Sequence, residues 1–257
     1  MQDRMRAIAL VGLLLCAVPA LAQSQPPPAA PAAAPAAATP APLTGSVSFS
    51  LGVTSGNKDT TSINGSYDLK FDPKTRNVVK SSGLFLYGKT DGQLSNEQYG
   101  LSVRDEYSVG ARAFVFGELR YLHDRFKGIS SLVAPTVGAG YKVVDQKNMS
   151  LSLSAGVGAV VESDYGIGRK TTGAVSFEER FSRKLSEAAS VGQSISVLWD
   201  AADFGNGLYL FGVNLTSTLV GRAQLKVEAL DTYKTRPPLP TLKRNDVTLL
   251  TGIVVKF

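Results

Sequence analysis

From Gly45 to Phe257 the apolar residues of this chain recur at every second position, in runs broken by short polar clusters. That period belongs to β-strands with two unlike faces, because successive side chains on an extended backbone point to opposite sides. The first run, GSVSFSLGVTS, puts Val47, Phe49, Leu51 and Val53 on one face and Ser46, Ser48, Ser50 and Gly52 on the other. Eleven further runs repeat the pattern, among them Tyr99, Leu101, Val103 and Tyr107, then Met149, Leu151, Leu153 and Val157, and finally Val247, Leu249, Ile253, Val255 and Phe257. Twelve strands leave about 18 residues for each strand and its connection, which suits the 9 to 11 residues a tilted strand needs to cross hydrocarbon. A soluble sandwich uses strands nearer 5 or 6 residues. The expected fold is all-β: a transmembrane, antiparallel, up-and-down β-barrel of about 12 strands over residues 45–257.

The connections and the aromatic residues set an orientation. After the even strands stand DPKTRN, SVGAR, DQKN, RKLSE and VGR; after the odd ones stand SGNKDTTS, TDGQLSNE, RFKGIS, SDYGIGRK, AADFGN and TRPPLPTLKR. Membrane barrels have short periplasmic turns and longer outer loops, so both ends of the barrel domain are expected on the periplasmic side. No connection looks long enough to fold inward as a constriction. Phe49, Phe71, Tyr107, Tyr141, Phe181 and Phe257 then sort to the periplasmic level, and Tyr87, Tyr99, Tyr121, Trp199, Tyr209 and Tyr233 to the outer level. Two such belts are what amphipathic rings form at membrane interfaces.

Ahead of the barrel, residues 1–22 have a basic start (Arg4, Arg6), an apolar stretch from Ala7 to Val18, and small residues Ala20 and Ala22. They read as a signal peptide with cleavage after Ala22. Residues 23–44, QSQPPPAAPAAAPAAATPAPLT, carry no charge and cannot form a core; they read as a Pro/Ala-rich periplasmic linker. Cys16 is the only cysteine and lies in the leader, so the mature chain has neither disulfide nor thiolate metal site. Removing Arg4, Arg6 and Asp3 from 27 basic and 21 acidic residues leaves a net charge of about +5, spread singly. No basic cluster of the kind that binds nucleic acid is present.

The even face is where a function would lie. It carries eight cations and nine anions, including Arg104, Glu106, Glu118, Arg120, Glu178, Arg180, Lys226 and Glu228 as the candidate lumen-lining residues. An ion-selective pore tends to show rings of one sign, whereas balanced charges can pair across a narrow lumen. The reading is a non-enzymatic outer-membrane barrel, either a narrow channel or a stress-related envelope protein. One alternative is a lipid-modifying enzyme built on His123, the only histidine, which falls on the lipid face at the outer level. Its own strand offers no serine two residues on, where Arg125 stands, so no catalytic, cofactor or metal residues are assigned. Another alternative is a soluble periplasmic β-protein.

The segment SLGVTSGNKDTTSINGSYDLKF, the stretch GELRYLHDRFKG and the closing PPLPTLKRNDVTLLTGIVVKF resemble the YdiY-like salt-induced outer-membrane proteins, a family of unknown function. Ser55-Gly56-Asn57 with Asp59, and Tyr121 with Asp124-Arg125-Phe126, carry the likeness most specifically, and it covers nearly all of residues 45–257. The resemblance implies a bacterial outer-membrane barrel expressed under osmotic or salt stress, and it supplies no catalytic residues. The terminal alternation ending on Phe257 resembles the signal read by the barrel-assembly machinery. That machinery, outer-membrane lipid and lipopolysaccharide are the expected partners.

Overall fold

In the computed structural model, which describes residues 42–54, 59–166 and 168–257, the alternation becomes a wall with two surfaces. Twelve strands follow one another: β1 (Leu43–Thr54), β2 (Thr60–Phe71), β3 (Asn77–Thr90), β4 (Gln93–Ser108), β5 (Ala113–Asp124), β6 (Ile129–Asp145), β7 (Met149–Asp164), β8 (Gly168–Lys184), β9 (Ala189–Asp200), β10 (Asp203–Val220), β11 (Ala223–Lys234) and β12 (Asn245–Lys256). Each bonds to the next and β12 bonds back to β1, closing an antiparallel barrel. Closure leaves no open sheet edge, which a strand in hydrocarbon could not tolerate. The expected leader at 1–22, nearly all of the linker at 23–44, and Ser55-Gly56-Asn57 lie outside the described residues. The strand begins two residues before the expected Gly45, since Leu43 pairs with Phe71 and Thr44 with Lys70.

The central registers join residues of the same parity, as in Phe49↔Gly65, Lys80↔Arg104 and Arg104↔Glu118. One parity therefore faces one way around the whole barrel. Odd positions form the outer surface, where Leu249 is 71% exposed and Leu51 and Val137 are each 61% exposed. A soluble β-protein would cover such a surface with a second sheet; a continuous apolar belt of this extent needs lipid. The soluble alternative is thereby overturned.

Two expectations are corrected. TDGQLSNE, expected as an outer connection, is mostly strand, with β3 and β4 meeting at the two residues Asp91 and Gly92. Both have positive φ, 50° and 75°, the geometry of a two-residue hairpin turn whose twist matches its strands. Residues 235–244 make the one long far-end loop among the described residues. The even face is also not polar throughout. Leu122, Ile129, Leu132, Ala134, Val160, Ala174, Leu198 and Leu208 pack as a buried apolar cluster inside the barrel, with Leu210 against it.

The closing seam is short. β1 and β12 share four residue pairs, from Ser46↔Lys256 to Phe49↔Ile253, and Gly45 and Phe257 exchange two backbone hydrogen bonds of 3.0 Å. The neighbouring pairings of β1 with β2 and of β11 with β12 run nearly the full strand length.

Candidate functional site

The lumen divides into two halves, named here by the end that holds Leu43 and Phe257 (the termini end) and the opposite, far end. In the termini half, Arg104 on β4 is the hub. Its Nε donates to Glu106 Oε1 at 2.9 Å, its Nη1 to Glu118 Oε2 at 3.0 Å and Glu178 Oε2 at 2.8 Å, and its Nη2 to the Ser154 hydroxyl at 3.0 Å. Glu118 also accepts from Arg120 Nη2 at 2.8 Å and from the Ser102 hydroxyl at 2.9 Å. Glu178 accepts from Arg180 through Nε and Nη2, at 2.9 and 2.8 Å. Lys80 donates to Glu106 Oε2 at 2.7 Å. The planar five-donor fork of arginine is what allows one cation to serve three carboxylates at once.

Glycines on β6, two strands along the wall from β4, make room for the rings beneath this hub. Phe114 and Phe116 on β5 lie flat over β6: a Cβ at Gly140 would meet Phe114 Cζ at 2.2 Å, and one at Gly138 would meet Phe116 Cε1 at 2.8 Å. The Arg104 guanidinium then stacks over Phe116 at 3.6 Å from the ring centroid. A cation over a ring face is favourable, more so away from water. Six of the eight lumen candidates (Arg104, Glu106, Glu118, Arg120, Glu178 and Arg180) are thus brought into one network. Lys226 and Glu228 form their own pair at 2.9 Å. The aromatic support, Lys80 and the serines were not among those candidates. Ser154 and Ser196 reach the arginines from residues 50 and 76 positions away, a distance no local spacing reveals.

A cavity of about 810 Å³ occupies the termini half, reaching from the 146–148 turn and Lys256 up to Gln98, Leu122, Leu210 and Thr232. Leu122 belongs both to this lining and to the apolar cluster, and Leu210 packs against that cluster, so the cavity borders the cluster. Over the cluster lies a single 3-10 turn, Arg125–Lys127, between β5 and β6. Asp124 Oδ1 caps it, accepting from Phe126 N at 3.1 Å and Lys127 N at 2.9 Å. Lys127 is fully buried; its Nζ pairs with Asp246 Oδ2 at 2.8 Å and donates to the Lys243 carbonyl at 3.2 Å. Gly128 closes the turn at φ 74°, and a Cβ there would strike Pro238 at 2.6 Å and Leu242 at 2.9 Å. The expectation that no connection constricts the lumen is therefore corrected: a short turn does so by locking onto the 235–244 loop. Lys234 pairs with Glu162 at the same level.

His123 stands on the outer face, as expected. It stacks on Tyr99 at 5.1 Å, its Nδ1 meets the Ser130 carbonyl at 2.8 Å, and its Nε2 has no hydrogen-bond partner among the described residues. Among the described residues neither ring nitrogen hydrogen-bonds a carboxylate or a hydroxyl, so these residues do not form the hydrogen-bonded chain of a nucleophile, base and acid. Around the far-end belt the rings touch in series: Phe85–Tyr99, Trp199–Tyr209 and Tyr209–Tyr233, with Trp199 Nε1 donating to Tyr209 Oη at 2.9 Å. Outside the strands, in the β2–β3 turn, Lys70 above all and then Lys74 hold the Asp72 carboxyl well below the usual carboxylate range.

The model of a family described as "Protein of unknown function, DUF481" matches residues 47–257. No curated protein sequence matches the chain. Among solved structures, the COG4313 outer membrane channel from Pseudomonas putida F1 is similar in fold, with 14% identity and a TM-score of 0.51 over 86% of this chain and 97% of that one. The NanC porin gives 8% identity and a TM-score of 0.47 over 83% and 98%. The translocator domain of the autotransporter NalP from Neisseria meningitidis gives 10% and 0.44 over 84% and 88%. The architecture is that of an outer-membrane barrel.

Proposed function

We propose, from the premise that this chain belongs to the DUF481 family of proteins of unknown function, that it is a narrow, non-enzymatic channel of the bacterial outer membrane whose resting state is shut. One observation carries the reading: a cavity of about 810 Å³ runs up the lumen from the 146–148 turn and meets the apolar cluster at Leu122 and Leu210. A purely structural barrel has no need of a roomy polar half. A layer of aliphatic side chains is a recognised way to close a pore, since water leaves a narrow apolar constriction. The closure hangs on a latch that can break, the Lys127–Asp246 pair.

In this reading the termini end faces the periplasm, with residues 1–22 removed and 23–44 lying there as a linker. Odd-face residues meet lipid, the far-end belt meets lipopolysaccharide, and the barrel-assembly machinery reads the terminal strand. A salt- or osmotic-stress role, which the YdiY-like resemblance implies, suits a channel that stays closed until conditions change. Protein levels that do not respond to external NaCl would remove that role. Replacing His123 by Ala is expected to leave lipid A and phospholipid profiles unchanged; an altered profile would restore the lipid-enzyme reading.

Planar-bilayer recording tests the channel directly. Folded wild-type protein is expected to be silent or to open rarely, and Lys127→Ala to open often. If both stay silent while heat-modifiability shows them folded, the chain is a closed barrel and the channel reading fails.

A further inference from the structure

We infer that the termini-end vestibule is a binding site for a small oxyanion, a phosphate or carboxylate group on a solute that enters from the termini side. The inference rests on the geometry of the termini half alone and does not depend on the far end ever opening.

The vestibule is a cavity of about 400 Å³ lined by Lys70, Lys80, Arg104, Arg180 and Lys256, with Asp68 as its one acidic side chain. That volume lies in the range of small-molecule sites, about 300–1,000 Å³. The carboxylates that pair with these cations do not face the space. Lys80 is 29% exposed against 10% for Glu106, and Arg180 is 39% exposed against 11% for Glu178. Each anion is more buried than its cation and absent from the vestibule's lining, so the cations are the groups that the vestibule presents.

Donors remain unused on that side. Arg180 engages Glu178 through Nε and Nη2, and its Nη1 has no recorded partner among the described residues. Lys256 makes no ion pair among them either, and it lines both the vestibule and the larger cavity. Ser46 and Ser82 line the vestibule with these cations. Preplaced cations backed by buried carboxylates cannot collapse onto one another, and they offer an incoming oxyanion charge-assisted hydrogen bonds that need little reordering. An apolar or cationic solute finds no equivalent partner there.

Calorimetric titration of the folded, full-length chain in neutral detergent, at constant ionic strength, tests this with sodium phosphate in one arm and trisodium citrate in the other. Binding on the order of millimolar or tighter is expected in at least one arm. Phosphate alone assigns a phosphorylated solute, citrate alone a carboxylated one, and both support an oxyanion site of either kind. Arg180→Gln and Lys256→Gln are each expected to weaken binding roughly tenfold. Arg169→Gln, which removes a cation from the exposed far end, is expected to leave it unchanged. Heat-modifiability establishes folding first, and if Arg180→Gln does not fold, Lys256→Gln carries the comparison. Absence of binding in both arms overturns the proposal. So does a loss in the vestibule variants no larger than that in Arg169→Gln.

Discussion

Ionised side chains hold the termini half of the lumen together, and an aliphatic cluster topped by the Lys127–Asp246 and Lys234–Glu162 pairs holds the far half. The first surrounds Arg104 with three glutamates beside a cavity; the second packs Leu122, Leu132, Leu198 and Leu208 under a latched turn. The belts on the outside differ in the same sense. Far-end rings touch one another, whereas Phe49, Tyr107 and Tyr141 at the termini end stand well exposed on the outer face. Charges at the termini end keep room for water and solute, and the far end behaves like the core of a small globular protein.

That contrast can be broken at four points of decreasing effect. Removing Phe257 deletes the residue that bonds Gly45 across the seam, and the folded fraction recovered from outer membranes is expected to fall several-fold; recovery equal to wild type would deny the residue its role in assembly. Arg104→Ala leaves Glu106, Glu118 and Glu178 buried without their shared cation, a loss of about 3–5 kcal/mol, read as the shift in urea-unfolding midpoint. A shift near zero would mean that the carboxylates are solvated and the network is not one unit. In the other half, Leu132→Ala should cost about 2–5 kcal/mol through a cavity that water does not fill, and should lengthen any channel openings, whereas Arg104→Ala should not. Tyr209→Phe removes the acceptor of the Trp199 bond and should cost about 0.5–1.5 kcal/mol; Tyr141→Phe in the opposite belt is expected to cost less, and equal costs would erase the difference between belts.

Much of the barrel can be read from one rule of parity. Because the register preserves it, the outward face and the belt aromatics, all at odd positions, follow from counting. Strand ends are harder, since the polar run around Asp91-Gly92 pairs as strand up to a two-residue turn, and polarity alone does not distinguish the two. The apolar half of the lumen leaves a signal that alternation obscures: doublets such as Tyr121-Leu122, Leu132-Val133, Val160-Val161 and Leu208-Tyr209 are apolar on both faces. A strand bathed in water on one side has no reason to be so. The charged residues on the even face were legible singly, but their assembly was not, because Arg104 meets Ser154 and Glu178 across the lumen from strands three and four places away around the wall. For Lys127 no sequence signal exists; its burial follows from the fit of Gly128 against Pro238 and Leu242.

The short seam between β1 and β12 makes the barrel mechanically anisotropic. A cylinder stitched by long ladders everywhere but along one line unrolls from that line, as a scroll does. Pulled from a membrane by its last residue, the chain should release β12 first at low force and then surrender its hairpins in order from β11 downward, and a force–extension trace that began with any other strand would contradict the seam's short register.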